Sequence, residues 1–276
     1  MAASSEWQAV RRRGAARKGK LAQSEKPQAP ESVDRGQDRR RITEAINELR
    51  CEDFWPEWKE ILSGCQAETV DETVEGTDCF MECVCYGLGN FSSCVSARYQ
   101  LAMLLLLLDA LQIPVGCCSL YDPVFTESEC ETLRELGFTV LTENEEGKRA
   151  VCHPTLFYLM HCGKALYNNL LWKNWSPQIL PKVTVIGNSF LGIQERTLQR
   201  QLERDYSFLS DVINVCEETS LPCSQRFLDV FNDTALIRFP PHKLRKLPES
   251  IWDEPSEPCY EHCQDLEIIQ RVREPK

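Results

Sequence analysis

A glycine-rich turn is the first place in this chain where residue types and spacing could do chemistry. The hexapeptide Gly87-Leu88-Gly89-Asn90-Phe91-Ser92 reads G-x-G-x-x-S and lies between a predicted strand and a long predicted helix. Two glycines permit a tight turn and close approach of a ligand, and a helix N-terminus presents N–H groups to an anion. Serine replaces the third glycine of the dinucleotide-binding fingerprint. A ligand-binding loop and a turn that needs glycine only for geometry are both open interpretations.

A carboxylate at the end of the next predicted strand could accept hydrogen bonds from ribose hydroxyls. The fingerprint places an acid about 20 residues further on. Asp109 has that spacing but lies inside the predicted long helix, whereas Asp122 lies at a strand end. A carboxylate in this place is typical of nicotinamide-dependent and S-adenosylmethionine-dependent enzymes. The alternative, slightly favoured by the Tyr-Asp-Pro sequence, is that Asp122 caps a turn.

Three further predicted strands are followed by polar residues or glycine; we call these positions polar corners. Asn144 lies in the charged segment 143–149, His161 follows the fourth predicted strand, and Gly187-Asn188 follow the fifth. His161 could be a general base, a metal ligand or a haem ligand, or a structural residue held by a hydrogen bond. The candidate binding residues are Gly87, Gly89, Asn90, Asp122, Asn144, His161, Gly187 and Asn188.

The 15 cysteines form no paired zinc spacing, and we expect reduced, mostly buried thiols and no metal site. Haem ligation stays open at Cys259, Cys263, His161 or His262. The chain has no phosphate loop and no H-E-x-x-H motif, and Leu191 stands where a nucleophile elbow needs glycine. No complete catalytic set is therefore predicted.

Strand and helix signals alternate along the middle of the chain. The predicted strands cover residues 83–86, 115–121, 138–141, 155–160 and 183–186, with helices between them. This alternation predicts an α/β, Rossmann-like fold with a mostly parallel sheet and helices on both faces. Because the carboxyl ends of parallel strands share one edge, we expect the polar corners to converge there around a ligand crevice. Residues 235–239 are a further strand candidate.

Charge divides the chain of 276 residues, which has a net charge of −11. Residues 1–41 are basic and poor in large apolar side chains, a composition that predicts a disordered tail. The tail is either a solvated terminus or a segment that serves nuclear import or nucleic-acid binding. Residues 42–276 predict one α/β domain, with a helical lead-in and an acidic loop over 42–78. Its acidic balance argues against a nucleic-acid surface on the folded domain.

No segment predicts membrane insertion or export. The longest uncharged apolar stretch, residues 99–108, is shorter than the roughly 20 residues that span a bilayer. No apolar core follows the arginines near the N-terminus, so no secretory signal is predicted. We therefore expect a cytoplasmic or nuclear protein.

An ordered set of motifs resembles the "sensitivity to red light reduced" family in its animal branch. The motifs are Val84–Phe91, Tyr121–Pro123, Glu143–Lys148, His161–Gly163, Leu166–Leu171, Gly187–Phe190 and Phe231–Thr234. The resemblance implies a role in circadian clock-gene expression and in the regulation of haem biosynthesis; plant members act in red-light signalling. It supplies no established reaction or catalytic residues.

Three hypotheses follow. The first is a regulatory protein that senses haem or a nucleotide-like ligand in a Rossmann-like pocket. The second is a methyltransferase-like enzyme that uses S-adenosylmethionine at the Gly87–Asn90 turn and Asp122. The third is a non-catalytic scaffold whose tail or helices bind protein partners of unknown identity.

Overall fold

In the computed structural model, residues 35–66, 81–253, 255–261 and 263 are described. The strands are β1 (Glu82–Tyr86), β2 (Cys118–Tyr121), β3 (Thr139–Val140), β4 (Thr155–Leu159), β5 (Val183–Asn188), β6 (Glu217–Ser220) and β7 (Thr234–Arg238). The α-helices are α1 (Arg35–Arg50), α2 (Phe54–Gln66), α3 (Val95–Ala110), α4 (Glu127–Glu135), α5 (Lys164–Lys173), α6 (Phe190–Arg196), α7 (Gln199–Asp205), α8 (Ser207–Ile213), α9 (Leu228–Phe231) and α10 (Pro241–Leu244).

The seven strands of the described residues form one sheet in the order β3-β2-β1-β4-β5-β7-β6. Strands β1 to β5 pair in parallel, and β7 pairs antiparallel with both β5 and β6. The predicted α/β class with a mostly parallel sheet is confirmed, and the strand candidate at 235–239 joins the same sheet. The order reverses between β1 and β4, which is where open α/β sheets form a crevice at their carboxyl edge.

Helices cover both faces of the sheet because the strand side chains alternate between two cores. Cys83 and Cys85 pack in the core formed with α1, α2 and α3. Val84 and Tyr86 face the other core, formed with α5, α7 and α8. Buried on both faces, the central strands are almost continuously apolar, as expected for a parallel sheet. Helix α3 carries nine buried residues, in agreement with its apolar sequence.

The first helix starts earlier than the predicted boundary between tail and domain. Helix α1 begins at Arg35, so residues 35–41 are not part of a disordered tail. Asp38 on this helix is buried and accepts a hydrogen bond of 2.6 Å from Ser92 Oγ. The early start of α1 was not predicted because Arg39 and Arg40, which are exposed, give the segment a basic, tail-like composition. Residues 1–34 and the predicted acidic loop over 67–78 lie outside the described residues.

Two other differences concern the second half of the sheet. Strand β6 was not predicted, because Glu217–Ser220 is a polar edge strand with no buried residue. The chain between β5 and β6 forms three short helices, α6, α7 and α8, for which no separate signals were predicted. No helix in the described ranges is long and apolar enough to cross a bilayer.

Gly187 in β5 allows α5 to approach the sheet closely. The Tyr167 hydroxyl donates a hydrogen bond of 2.6 Å to the Leu159 carbonyl and accepts one of 2.9 Å from Asn188 N–H. A Cβ on Gly187 would lie 2.7 Å from both the Leu159 carbonyl oxygen and the Tyr167 hydroxyl oxygen. This contact ties the ends of β4 and β5 to α5.

We predict that Gly187→Ala lowers the free energy of unfolding by about 2 kcal/mol, because the added methyl overpacks this contact. Gly64→Ala is the matched control, since no atom lies within 4 Å of the Cβ that would be added in α2. It should raise stability by about 0.5 kcal/mol through helix propensity. Urea denaturation of both variants measures the difference; equal stabilities would show that the sheet accommodates the methyl freely.

Candidate functional site

A cavity of about 390 Å³ opens at the carboxyl edge of the sheet, where the strand order reverses. Its volume is in the range of small-molecule sites, roughly 300–1,000 Å³. The lining residues are Tyr86, Gly87, Gly89, Tyr121, Asp122, Pro123, Val124, Asn144, Glu146, Gly147, His161, Cys162, Gly163 and Leu166. Five of the eight predicted residues, namely Gly87, Gly89, Asp122, Asn144 and His161, therefore meet around one hollow.

The turn after β1 requires its glycines for two reasons. Gly87 and Gly89 have φ of +70° and +82°, a region that disfavours other residues. A Cβ on Gly87 would also lie 2.6 Å from the Cys162 sulfur. Backbone conformation and close approach of the segment after β4 thus both fix glycine at position 87.

Two N–H groups of this turn, those of Gly89 and Ser92, already have partners within the chain. Gly89 N–H donates to the Asp122 carboxylate at 2.7 Å, and Ser92 N–H donates to the buried Glu129 carboxylate at 2.9 Å. Asn90 accepts from Ser93 N–H at 3.0 Å. Asn90 is not among the residues that line the cavity; its side chain caps the turn. Carboxylates occupy positions where a dinucleotide-binding turn would receive a pyrophosphate.

Asp122 joins the turns that follow β1 and β2. One carboxylate oxygen accepts from Gly89 N–H, and the other accepts from Val124 N–H at 2.9 Å. This is the turn-capping arrangement that the Tyr-Asp-Pro sequence slightly favours. Asp122 also lines the cavity, and an ionised carboxylate offers about four acceptor sites. The same side chain can therefore hold the turn and accept a ligand hydroxyl.

His161 has a left-handed backbone and a defined ring orientation. Its φ is +53°, which is uncommon outside glycine. The ring Nε2 lies 2.9 Å from the Val230 carbonyl oxygen. Because a carbonyl only accepts, we assign the proton to Nε2, which makes Nδ1 an acceptor. The structural bond is present, His161 lines the cavity, and Nδ1 keeps its lone pair as an acceptor.

Cys162 contributes a protonated thiol to the cavity. Its sulfur donates to the Tyr86 carbonyl at 3.4 Å. Burial of the sulfur, with a smaller effect of the Asp122 charge, raises the pKa of this thiol to about 12. At neutral pH the free thiol is therefore protonated and a poor nucleophile.

The charged loop at 143–149 is anchored to the sheet. Asn144 accepts from Glu146 N–H at 2.9 Å. The Tyr86 hydroxyl donates to Glu145, which also pairs with Arg149 at 3.1 Å. Burial first, and then this hydrogen bond, raise the pKa of Tyr86 above its ordinary value. Tyr86 therefore remains a neutral donor that fixes one wall of the cavity.

The electrostatic character of the cavity is acidic. Among the described residues, its lining includes the carboxylates Asp122 and Glu146 and contains no lysine or arginine. Glu146 is paired with Lys148 at 2.7 Å. Such a lining attracts cations and repels phosphate groups.

The structure does not bring Gly187 and Asn188, two of the predicted binding residues, into the cavity lining. The Asn188 side chain donates to the Cys162 carbonyl at 3.0 Å, and Tyr167 packs against Gly187. These residues therefore support the segment that carries His161. The reason is that β5 lies one strand beyond the point where the order reverses.

The described residues contain no group of three or more His, Cys, Asp and Glu side chains arranged to hold a metal ion. Of the residues left open for haem ligation, Cys259 is exposed and Cys263 is partly buried. His262 lies outside the described residues.

Comparison with known proteins identifies the family. A family model described as the SRR1 domain matches residues 66–238, more than half of the chain. The chain belongs to the SRR1 family. Sequence resemblance to the "sensitivity to red light reduced" family is thus confirmed, and the matched SRR1 domain contains every residue that lines the cavity. No solved structure matches the chain.

Named SRR1 relatives come from animals and plants. The mouse "SRR1-like protein" is 41% identical over 232 residues, covering 75% of this chain and 93% of that protein. The Drosophila melanogaster "SRR1-like protein" is 32% identical over 202 residues, covering 73% and 68%. The Arabidopsis thaliana "Protein SENSITIVITY TO RED LIGHT REDUCED 1" is 29% identical over 187 residues, covering 68% and 64%.

Sequence reasoning missed several residues of the SRR1 cavity. Tyr86 and Tyr121 end β1 and β2, so the rule that strand ends converge could have found them. Leu166 comes from α5, and no local signal marks its contact with the cavity.

We predict that Cys162 resists iodoacetamide at pH 8, because a thiol with a pKa of about 12 is ionised to only about one part in ten thousand. Exposed Cys152 is the internal control and should be alkylated under the same conditions. Peptide mass spectrometry over a pH series measures both sites. Alkylation of Cys162 at a rate like that of Cys152 would contradict the protonated, buried thiol.

Proposed function

We propose that this SRR1-family protein is a regulatory protein that binds a phosphate-free adenosine ligand, S-adenosylmethionine, in the cavity between β1 and β4. The observation that carries the proposal is the occupation of the turn N–H groups of Gly89 and Ser92 by carboxylates. A pyrophosphate would have to displace these carboxylates, whereas a cationic sulfonium is attracted by the acidic lining.

The position and the walls of the cavity favour a nucleoside. It lies at the reversal of strand order, the place where doubly wound sheets bind nucleotides. Tyr86 and Tyr121 supply aromatic surface, and Asp122 has acceptor capacity for ribose hydroxyls. Insertion of antiparallel β7 between β5 and β6 is also the arrangement of Rossmann-like S-adenosylmethionine-dependent methyltransferases; this support is an analogy of fold.

The regulatory part of the proposal concerns what ligand binding controls. We propose that occupancy of the cavity is linked to circadian clock-gene expression and to the regulation of haem biosynthesis. The name of the Arabidopsis relative, which refers to red-light sensitivity, supports a signalling role at the level of the family. We place this role in the cytoplasm and the nucleus.

A methyltransferase-like enzyme is the second candidate, favoured by the ring orientation of His161. With its proton on Nε2 and donated to Val230, this cavity-lining residue keeps Nδ1 as a proton acceptor. Transfer of the sulfonium methyl to a substrate N–H or O–H would release the proton to Nδ1. Conversion of S-adenosylmethionine to S-adenosylhomocysteine separates this candidate from a sensor, which binds without turnover.

We predict that S-adenosylmethionine stabilises the protein in thermal-shift and calorimetric titrations, by about 2.7 kcal/mol at 100 times its dissociation constant. S-adenosylhomocysteine, which lacks the sulfonium charge, should bind more weakly, and NAD should bind more weakly still because of its pyrophosphate. Hemin, titrated with a spectroscopic readout, tests the haem alternative.

Two exposed valines provide matched variants for this titration. Val124 lines the cavity, whereas Val95, exposed to a similar degree, does not. Val124→Arg places a cation at the rim and should weaken S-adenosylmethionine binding about tenfold through repulsion of the sulfonium. Val95→Arg should leave the affinity unchanged. Equal affinities in both variants, or tighter binding of NAD than of S-adenosylmethionine, would refute the proposed site.

A further inference from the structure

The C-terminal segment 255–261 and the residues just before it are hydrogen-bonded to α5 and to the residues that follow this helix. The Trp172 indole N–H donates to the Pro255 carbonyl at 3.0 Å, and the Trp175 indole N–H donates to the Ile251 carbonyl at 2.8 Å. An indole N–H needs a partner when it is buried, so these bonds favour one path for the segment. The segment follows the matched SRR1 domain along the chain.

Tyr260 connects this segment to the cavity through buried side chains. Its hydroxyl donates to Asn169 Oδ1 at 2.8 Å and accepts from Asn168 Nδ2 at 3.0 Å. Asn168 and Asn169 are each 1% exposed. Asn169 Nδ2 then donates to the Glu146 carbonyl at 2.8 Å. Two consecutive hydrogen bonds therefore join Tyr260 to a residue of the cavity wall.

Glu257 makes a second connection to the same wall. Lys148 Nζ lies 2.7 Å from Glu146 Oε2 and 2.7 Å from Glu257 Oε1. The ammonium group is thus shared between a carboxylate that lines the cavity and one on the C-terminal segment. The position of the segment affects how completely the charge of Glu146 is neutralised.

The loop at this point depends on such support. Glu146 and Gly147 have φ of +52° and +77°, and a Cβ on Gly147 would lie 2.7 Å from the Leu166 carbonyl oxygen. A left-handed backbone at a non-glycine residue persists only where its surroundings hold it. Helix α5 limits the loop on one side, and the bonds from Tyr260 and Glu257 hold it from the C-terminal segment.

We propose that Tyr260 and Glu257 are positioning residues of the cavity. The C-terminal segment fixes Glu146 and Gly147 in the cavity wall and thereby sets the affinity for the bound ligand. The statement about affinity rests on the proposed function, whereas the statement about loop position does not.

Hydrogen exchange of Tyr260→Phe tests the loop position. The variant keeps the ring but removes the hydroxyl that joins Asn168 and Asn169. Exchange of the Glu146 and Lys148 amides, which donate to Asn144 and to the Glu145 carbonyl, should become about tenfold faster, as expected for the loss of one net hydrogen bond.

Tyr158→Phe is the matched control. It also removes one buried phenolic hydroxyl, which donates to the Gln100 carbonyl at 3.0 Å in the core on the opposite face of the sheet. Exchange at Glu146 and Lys148 should be unchanged in this variant. The proposal is overturned if the Glu146 and Lys148 amides exchange equally fast in Tyr260→Phe and in the unmodified protein. It is also overturned if Tyr158→Phe speeds their exchange as much as Tyr260→Phe does.

A surface variant covers the case in which Tyr260→Phe unfolds. Glu257 is largely exposed, so Glu257→Gln should fold normally, and it should raise exchange at Glu146 about twofold, in keeping with a surface ion pair. If Tyr260→Phe unfolds and Glu257→Gln leaves exchange at Glu146 unchanged, the proposal is overturned.

The second experiment measures affinity for S-adenosylmethionine, which Tyr260→Phe should bind about tenfold more weakly. If exchange is faster in Tyr260→Phe but S-adenosylmethionine does not bind the unmodified protein, the proposed ligand is refuted and the positioning role is supported.

Discussion

Two carboxylates from one stretch of chain hold the turn on which the cavity depends. Asp122, at the end of β2, accepts from Gly89 N–H, and Glu129, in the first turn of α4, accepts from Ser92 N–H. The turn after β1 cannot shift without breaking charge-assisted hydrogen bonds, at least one of which is buried. The N–H groups of Gly89 and Ser92 are therefore satisfied internally, and at these two positions the turn offers carboxylates in place of a free backbone donor for a phosphate.

The sequence predicted this arrangement in part. Thr126 and Glu129 have the three-residue spacing typical of a capping box, and both of its hydrogen bonds are present. Nothing in that local pattern indicated the second role of Glu129 as acceptor for Ser92, because the two residues are 37 positions apart. Asp122 was placed correctly at a strand end. Of the two roles considered for it, ligand binding and turn capping, the structure shows turn capping, in which each carboxylate oxygen serves one turn.

The differences between the predicted and the observed arrangement have a common physical origin. Gly187 and Asn188 follow a strand but lie outside the cavity lining, because lateral position in the sheet depends on strand order, which pairing between distant segments decides. Helix α1 was given too late a start because the partner of Asp38 is a serine 54 residues away. Strand β6 has no buried residue, so hydrophobic periodicity could not reveal it. Each difference concerns a long-range contact that outweighs local composition.

The protonated state of Cys162 has a consequence for oxidative chemistry. Peroxides attack thiolates, so a thiol that keeps its proton reacts slowly with them. Exposed thiols elsewhere, such as those of Cys51, Cys94 and Cys152, are available to consume the oxidant first. Under oxidative stress, damage would accumulate on these exposed thiols while the Cys162 sulfur in the cavity wall stayed reduced.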